Sequence, residues 1–312
     1  VPGIRVDSHS SGEEYATSVK VSDSAFPTTK FSKTTVNPRI AIKYEVTPSL
    51  VLRANIGTGF RAPYGFSEDL HLCSGSPRVW KSSNLKGERA ISYNLSADYY
   101  AKKYQFSINI FRTNLKDKIQ FSPADDEVKK FGYSYQWENV DDAYVQGVEL
   151  GAKANLFRNF NAGVNWTFNQ GKFKHERADW SDPNDETVKE FPQRLQYAKD
   201  SRNISRFPAM TGDIDLDYTP GTWSFSLTSS LQGRMYIDYN SEDDGATSKI
   251  KKTNTFMLFN CRAAKRFGMC TVYAGAKNIF SYIQDEKHTD DAAFMYAPVY
   301  GATWYVGLSV KL

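Results

Sequence analysis

His71 lies in a polar stretch that also holds Tyr64, Phe66 and Trp80. A neutral imidazole can ligate iron or cobalt, and aromatic rings with a polar edge can stack on a flat ligand. The same residues also suit plainer roles: His71 as a hydrogen-bonding group that orders a loop base, and the rings as loop packing. Acidic residues cluster at Asp125-Asp126-Glu127, Asp141-Asp142 and Glu242-Asp243-Asp244. Carboxylates suit calcium, so a loop calcium is one expectation, but none of these runs has EF-hand spacing, and solvated loop charge is the simpler reading. His71 and His288 have polar neighbours, yet no motif places a nucleophile beside a base, so no catalytic residue is assigned. Gly57-x-Gly59 leads into no helix and is not a nucleotide fingerprint.

Cysteine spacing offers nothing more. Cys73, Cys261 and Cys270 do not resemble a zinc site. In a regular hairpin around Phe267-Gly268, Cys261 would lie opposite a residue near Ala274 rather than Cys270, so no disulfide is expected between them. The net charge of +4 is small for 312 residues, and acid and base are mixed throughout. Nucleic acid is therefore not an expected partner.

The scaffold that must position these groups is legible in alternation. Ile40, Ile42, Tyr44 and Val46 alternate with Ala41, Lys43 and Glu45. After Thr47-Pro48-Ser49, Leu50, Leu52, Ala54 and Ile56 alternate with Val51, Arg53 and Asn55. A period of two predicts strands with one apolar and one polar face, and proline fits a turn but breaks a ladder. The pattern recurs around Lys102-Lys103, Arg158-Asn159, Pro220-Gly221 and Phe267-Gly268. A last strand carries Trp304, Val306, Leu308, Val310 and Leu312 on one face.

About twelve such stretches occur, joined by alternately short and long connections, which is the signature of a transmembrane β-barrel. No run of roughly 20 apolar residues suggests a helical span. The expected fold is all-β: an antiparallel up-and-down barrel with lipid outside and a polar lumen. The 20 Phe, 19 Tyr and 6 Trp suit its aromatic girdles. A soluble sandwich shares the composition but would bury Asp213, Asp215 and Asp217 from one strand face, which is costly without partners. The long connections run over residues 10–31, 63–87, 122–132, 172–206, 240–253 and 282–300, all opposite the C-terminus. His9, His71, His175 and His288 fall in or beside them. Residues 133–156 read as one strand of about 24 residues where a bilayer needs about 9–11, so the strands should climb beyond the membrane.

Motifs on these strands resemble those of TonB-dependent outer-membrane receptors. Gly59-Phe60-Arg61-Ala62-Pro63, followed by Ser83-Asn84-Leu85-Lys86 and Glu88, resembles the family's paired FRAP and NPNL boxes, with Ser82-Ser83 in place of the second box's first two residues. Gln146-Gly147-Val148-Glu149-Leu150 resembles a strand signature of the family, and Ala276-Lys277-Asn278-Ile279-Phe280 its penultimate-strand KNLF element. Phe66-Ser67-Glu68-Asp69-Leu70-His71 is similar to a DEDLH stretch of Bacteroidota receptors for cobalamin and ferric citrate. Haem receptors also carry a histidine between the two boxes, the interval that His71 occupies.

The resemblance implies a plugged 22-stranded barrel. Residues 1–312 would form its partial, C-terminal barrel domain, with the plug and first strands absent from the chain. It implies motif roles for Phe60, Arg61, Ala62, Pro63, Asn84 and Leu85, those of Arg61 and Pro63 structural. It places Tyr64, Phe66, His71 and Trp80 as extracellular ligand contacts, with His71 a candidate ligand to haem iron or cobalt. The implied function is TonB-powered import of a metal chelate across the outer membrane of a Gram-negative bacterium. A corrinoid such as cobalamin is the first expectation, and haem or a ferric siderophore follow. Loops would be extracellular and the C-terminus periplasmic. Expected partners are outer-membrane lipid, TonB through the missing N-terminal part, the chelate and a surface lipoprotein. No covalently bound cofactor and no enzymatic activity are expected. The alternatives are a self-contained barrel of about twelve strands, closing by itself as a passive porin or barrel enzyme, and a structural or adhesin barrel without a ligand pocket.

Overall fold

The computed structural model describes residues 1–14, 28–64, 79–123, 125–133, 135–175, 202–240, 248–284 and 296–311. Strands β1 (Pro2–Glu13), β2 (Thr29–Thr47), β3 (Leu50–Arg61) and β4 (Val79–Lys81) lead to β5 (Glu88–Tyr100) and β6 (Tyr104–Pro123). One short helix, α1 (Asp126–Lys129), precedes β7 (Tyr135–Phe157) and β8 (Phe160–Phe173). Then come β9 (Met210–Tyr218), β10 (Trp223–Gln232), β11 (Tyr236–Asn240), β12 (Ser248–Lys252), β13 (Phe256–Phe267), β14 (Cys270–Lys277) and β15 (Thr303–Val310). Twelve strands pair in the order β1, β2, β3, β5, β6, β7, β8, β9, β10, β13, β14, β15. All these pairings are antiparallel, which makes the sheet a meander. β1 and β15 are its ends, so the described sheet is an arc of barrel wall rather than a closed barrel. β4 runs parallel to the start of β7, and β11 with β12 forms a separate hairpin.

Register shows that the alternation is used as expected. Ile42, Ala54, Leu95, Ile110, Val148, Phe168 and Met210 are successive direct partners on β2, β3, β5, β6, β7, β8 and β9. Direct partners share a face, and this face is open: Ile42 is 61% exposed, Leu95 57% and Ile110 51%. A continuous apolar surface of this extent is unfavourable in water and marks contact with an apolar medium.

The opposite face is a polar ladder. Asn94 Nδ2 donates to Asn55 Oδ1 at 2.9 Å, Asn109 Nδ2 to Glu149 Oε2 at 2.9 Å and Asn165 Nδ2 to Asp213 Oδ2 at 2.7 Å. Ser226 Oγ donates to Asp217 Oδ1 at 2.6 Å, and Arg53 pairs with Asp98. Asp213 and Asp217 are therefore satisfied by neighbouring strands, as a polar lumen allows.

The strands are also staggered. A second row of direct partners starts at Tyr104, the first residue of β6, and passes through Ala154, Ala162, Leu216, Leu227, Cys261 and Ala276 to Trp304. It begins beside a short turn and ends beside a long connection. A row perpendicular to the strands can do that only if the strands tilt, which is the geometry of barrel closure.

Short turns fall where the sequence places them, with one correction. Thr47 Oγ1 accepts from Ser49 N at 3.2 Å and from Leu50 N at 3.0 Å, closing the turn at Pro48-Ser49. The last hairpin turns at Gly268-Met269 rather than Phe267-Gly268, because Phe267 pairs with Cys270. Gly268 supplies the left-handed φ of 58° that such a turn needs. Cys261 therefore opposes Ala276, not Ala274, and both Cys261 and Cys270 are free thiols. The connection expected at 240–253 begins earlier: β10 ends at Gln232, and residues 236–252 carry the β11 and β12 hairpin. β7 confirms one very long strand, with 23 residues.

Candidate functional site

The paired boxes close the base of the connection between β3 and β5. At the end of β3 the chain turns through Tyr64, whose φ of 68° points its ring back into the molecule. Tyr64, Leu85, Ile119 and Trp137 form one buried cluster, with Phe31 packed against it. The Tyr64 hydroxyl donates to Ser82 O at 2.8 Å and accepts from Leu85 N at 3.3 Å. One side chain thus ties the first box to the second. Of the two roles open to Tyr64, the packing role describes its position.

The other motif residues surround this knot. Pro63 is fully buried, and its carbonyl accepts from Ser11 Oγ at 2.9 Å. Phe60 packs beside His9, with ring centroids 5.1 Å apart, and beside Phe31 at 6.0 Å. Gly87 lies under that ring: a Cβ there would stand 2.2 Å from Phe60 Cζ, so a side chain at this position would displace the ring. Arg61 is exposed and pairs in register with Glu88; Ala62 is half-buried; Asn84 is exposed, and its amide donates to Ser82 Oγ at 3.2 Å. Trp80 sits on β4, half-buried, where β4 meets β7. Phe66 and His71 lie outside the described residues, as do Cys73 and His288.

Residues outside the motifs complete the base. Asn139 Oδ1 accepts from Lys86 N at 2.8 Å, and its Nδ2 donates to Lys86 O at 3.0 Å and Asp117 O at 2.8 Å. Glu88 Oε2 accepts from Ile119 N at 3.0 Å. Ile119, Trp137 and Asn139 gave no signal in the sequence, because alternation reports a face and not a partner far along the chain.

The other two motifs also have structural explanations. Gly147 is the direct partner of Phe111, and a Cβ there would lie 2.3 Å from Phe168 O and 2.8 Å from Phe111 Cζ. The missing side chain lets the Phe111 ring cover the ladder. Gln146 links Arg112 and Gln170 at 2.7 and 3.0 Å, and Glu149 accepts from Asn109. In the last motif, Asn278 adopts a φ of 50°, a left-handed position that asparagine tolerates. Its amide N donates to Asn260 Oδ1 at 3.0 Å. Its Oδ1 accepts from Tyr282 N at 2.9 Å, and its Nδ2 donates to Tyr282 O at 2.7 Å and Tyr300 O at 3.2 Å. Both ends of the last long connection are held by this one side chain.

The described acidic runs are spent locally. Asp125 caps α1 by accepting from Val128 N at 2.9 Å, while Asp126 and Glu127 pair with Lys129 and Lys130. Asp142 Oδ1 accepts from Asp117 N at 3.1 Å. Asp141 accepts from His175 N at 2.7 Å and contacts His175 Nδ1 at 3.1 Å. Burial alone would raise the Asp141 pKa, but the hydrogen bonds from His175 and Asp142 and the His175 charge together hold it below the ordinary carboxylate value. No group of three or more potential metal ligands occurs among the described residues, and the run at 242–244 lies outside them.

Comparison with known proteins places this architecture. Over 229 residues the chain is 26% identical to the vitamin B12 transporter of Photobacterium profundum, which covers 72% of this chain and 30% of that protein. Over 131 residues it is 28% identical to the ferric enterobactin receptor of Pseudomonas aeruginosa, covering 36% of this chain and 18% of the receptor. Two solved structures share the fold across 98% of the chain: the copper transporter OprC, at 20% identity and a TM-score of 0.69, and the ferric citrate transporter FecA, at 19% and 0.68. The chain covers 44% of OprC and 42% of FecA, so it spans less than half the length of these relatives. All four are transporters or receptors, and none is an enzyme. The family model for the β-barrel of TonB-dependent receptor-like proteins matches residues 1–279, and the chain belongs to that family of outer-membrane barrels.

Proposed function

We propose that this chain is the C-terminal part of the barrel of an outer-membrane receptor that imports a metal chelate with energy from TonB. The observation that carries the reading is the two-faced wall: one face is an exposed apolar surface, the other a hydrogen-bonded polar ladder, on a chain of this family. A wall of this kind suits a membrane outside and a hydrated, plugged lumen inside. In this reading the short turns face the periplasm and the long connections face outward. A plug and further strands belong to the same polypeptide and carry the contact with TonB, and a surface lipoprotein partner covers the loops.

The preferred cargo is a corrinoid, with haem or a ferric siderophore next. Two things favour that order: the Glu68-Asp69-Leu70-His71 stretch, and the named transporter of vitamin B12 among the relatives. His71 would ligate the metal, with Phe66 and Trp80 against the ligand's flat face. A loop calcium would order the outer segments. Cyanocobalamin titration of the full-length receptor tests the cargo: sub-micromolar binding that weakens at least tenfold in His71→Ala is expected. Absence of such binding alongside tight binding of haem or a ferric siderophore would replace the corrinoid. Absence of all three would remove the chelate reading.

A further inference from the structure

Charge is unevenly spread over the lumen face. Ser226, which donates to Asp217, is followed by Arg262, Gly275 and Tyr305 as direct partners on β10, β13, β14 and β15. Alternate residues from that row define the lumen face of these last strands. It carries Arg262 and Arg266 on β13 and Lys277 on β14, with Lys311 just past β15, and no carboxylate. None of these cations pairs with a carboxylate among the described residues. The carboxylate in register with Arg262 is that of Asp217, two strands or roughly 10 Å away, and it is taken by Ser226.

The cations run the depth of the wall. Lys277 ends β14 at the last long connection. Arg266 stands at the opposite end, beside the turn at Gly268-Met269, where Lys311 N donates to Met269 O at 2.9 Å. Arg262 lies between them, about 13 Å along the strand from Arg266, close enough for neighbouring fields to overlap beside a low-dielectric wall. Two tyrosines pave the interval. Tyr305 opposes Gly275, and Tyr273 opposes Gly307. A Cβ at Gly275 would stand 2.6 Å from Tyr305 Cζ, and one at Gly307 2.3 Å from Tyr273 Cζ, so each ring lies across the glycine opposite it. Arg262 packs on the Tyr273 ring, 4.8 Å from its centre, which orients the guanidinium and leaves its N–H groups for another acceptor.

We propose that this strip is a transit track for the imported ligand, and that the ligand carries an oxyanion beside a ring. The cations would pass the oxyanion from one to the next, while the tyrosine faces accept the ring. A fixed contact with a plug needs one opposite charge at one depth. Cations spread from the loop end to the periplasmic end, with no acid among them and rings laid flat on the wall, suit a group that moves. The inference rests on the import reading above.

Uptake by cells carrying the full-length receptor tests it, with radiolabelled cyanocobalamin, haemin and ferric enterobactin as probes. The Arg262→Gln/Arg266→Gln/Lys277→Gln variant should bind the imported probe at the surface of de-energised cells as the wild type does. Its energised uptake should fall about tenfold. Arg262→Gln alone, the mildest change to the fold, should lower uptake about threefold. The charge-preserving Arg262→Lys/Arg266→Lys/Lys277→Arg variant should keep most of the rate. Wild-type uptake in both glutamine variants overturns the proposal. An equal loss in the charge-preserving variant does so too, because the side chains would then be structural. Entry of vancomycin through the triple glutamine variant, with probe uptake unchanged, would assign the cations to holding the plug and overturn the track. A wild type that imports none of the three probes overturns the import reading itself, whereas normal import that ignores these charges overturns this proposal alone.

Discussion

Tyr64 and Asn278 do the same job in different ways. Both are non-glycine residues with left-handed backbone, both stand where a strand gives way to a long connection, and both lie in or beside a family motif. Tyr64 works by burial: it is 5% exposed within a cluster of Leu85, Ile119 and Trp137, and one hydroxyl adds two hydrogen bonds. Asn278 works by direction: a small amide meets backbone at Tyr282 and Tyr300, while its own backbone meets Asn260. The first base should withstand loss of a polar atom better than loss of volume. The second should fail when the amide changes even at constant volume.

The largest expected effect is Tyr64→Ala. Removing a buried aromatic from a packed cluster costs about 3 to 5 kcal/mol, and here the Leu85 amide also loses its acceptor. Hydrogen exchange should show the Leu85 segment losing more than a hundredfold in protection, with the barrel strands unchanged. Tyr64→Phe should cost less, roughly 1 to 3 kcal/mol for the lost hydroxyl. If the two variants behave alike, the hydroxyl rather than the ring closes this base.

Asn278→Asp comes next and separates the two mechanisms. It preserves shape and the acceptor for Tyr282 N, but turns the face that donated to two carbonyls into a carboxylate. Unpaired polar groups in a buried site cost roughly 1 to 3 kcal/mol, more when charged. Protection of the Tyr282 amide should fall at least tenfold. Retained protection would mean that packing, not hydrogen bonding, holds the last loop, and the contrast with Tyr64 would collapse.

These two bases also mark what the sequence disclosed. Alternation located the strands and their faces because a period of two leaves little freedom once one face is apolar, and the rows through Ile42 and Ile110 bear that out. The turn at Gly268-Met269 slipped by one residue because Phe267 suits a strand end as well as a turn. Residues 236–240 continued the alternating pattern but left the main sheet after Gln232, which no local signal announced. The motifs were visible as words, but their physical roles were not. Tyr64 was open to ligand stacking or packing until Leu85, Ile119 and Trp137 were placed around it, and those contacts join distant parts of the chain.

Gly147→Val probes the wall between the two bases. Its Cβ would meet Phe168 O at 2.3 Å, a backbone atom that cannot rotate away, as well as the Phe111 ring. Overpacking of this kind costs about 1 to 3 kcal/mol. The urea midpoint of the vesicle-inserted barrel should fall, while protection at Leu85 and Tyr282 stays as in the wild type. Loss of protection at either amide would show that the loop bases depend on the wall rather than on their own contacts.

The smallest expected effect is the pH response of a third loop tie, Asp141 with His175. The Asp141 carboxyl has a lower pKa in the folded protein than the ordinary value of 3.8, so the unfolded segment binds its proton more readily. The carboxylate's contribution to the fold is therefore fully present above that ordinary value and is lost as pH falls through the folded pKa. At neutral pH the His175 amide should be protected by Asp141 Oδ2, the acceptor 2.7 Å away. Protection should decline as the solution is taken below about pH 4, and Asp141→Ala should show the low value at every pH. A wild-type profile that stays flat through that range would show that the tie does not depend on the Asp141 carboxylate charge. It would then leave this loop, like the two bases held by Tyr64 and Asn278, dependent on neutral hydrogen bonds rather than on charge.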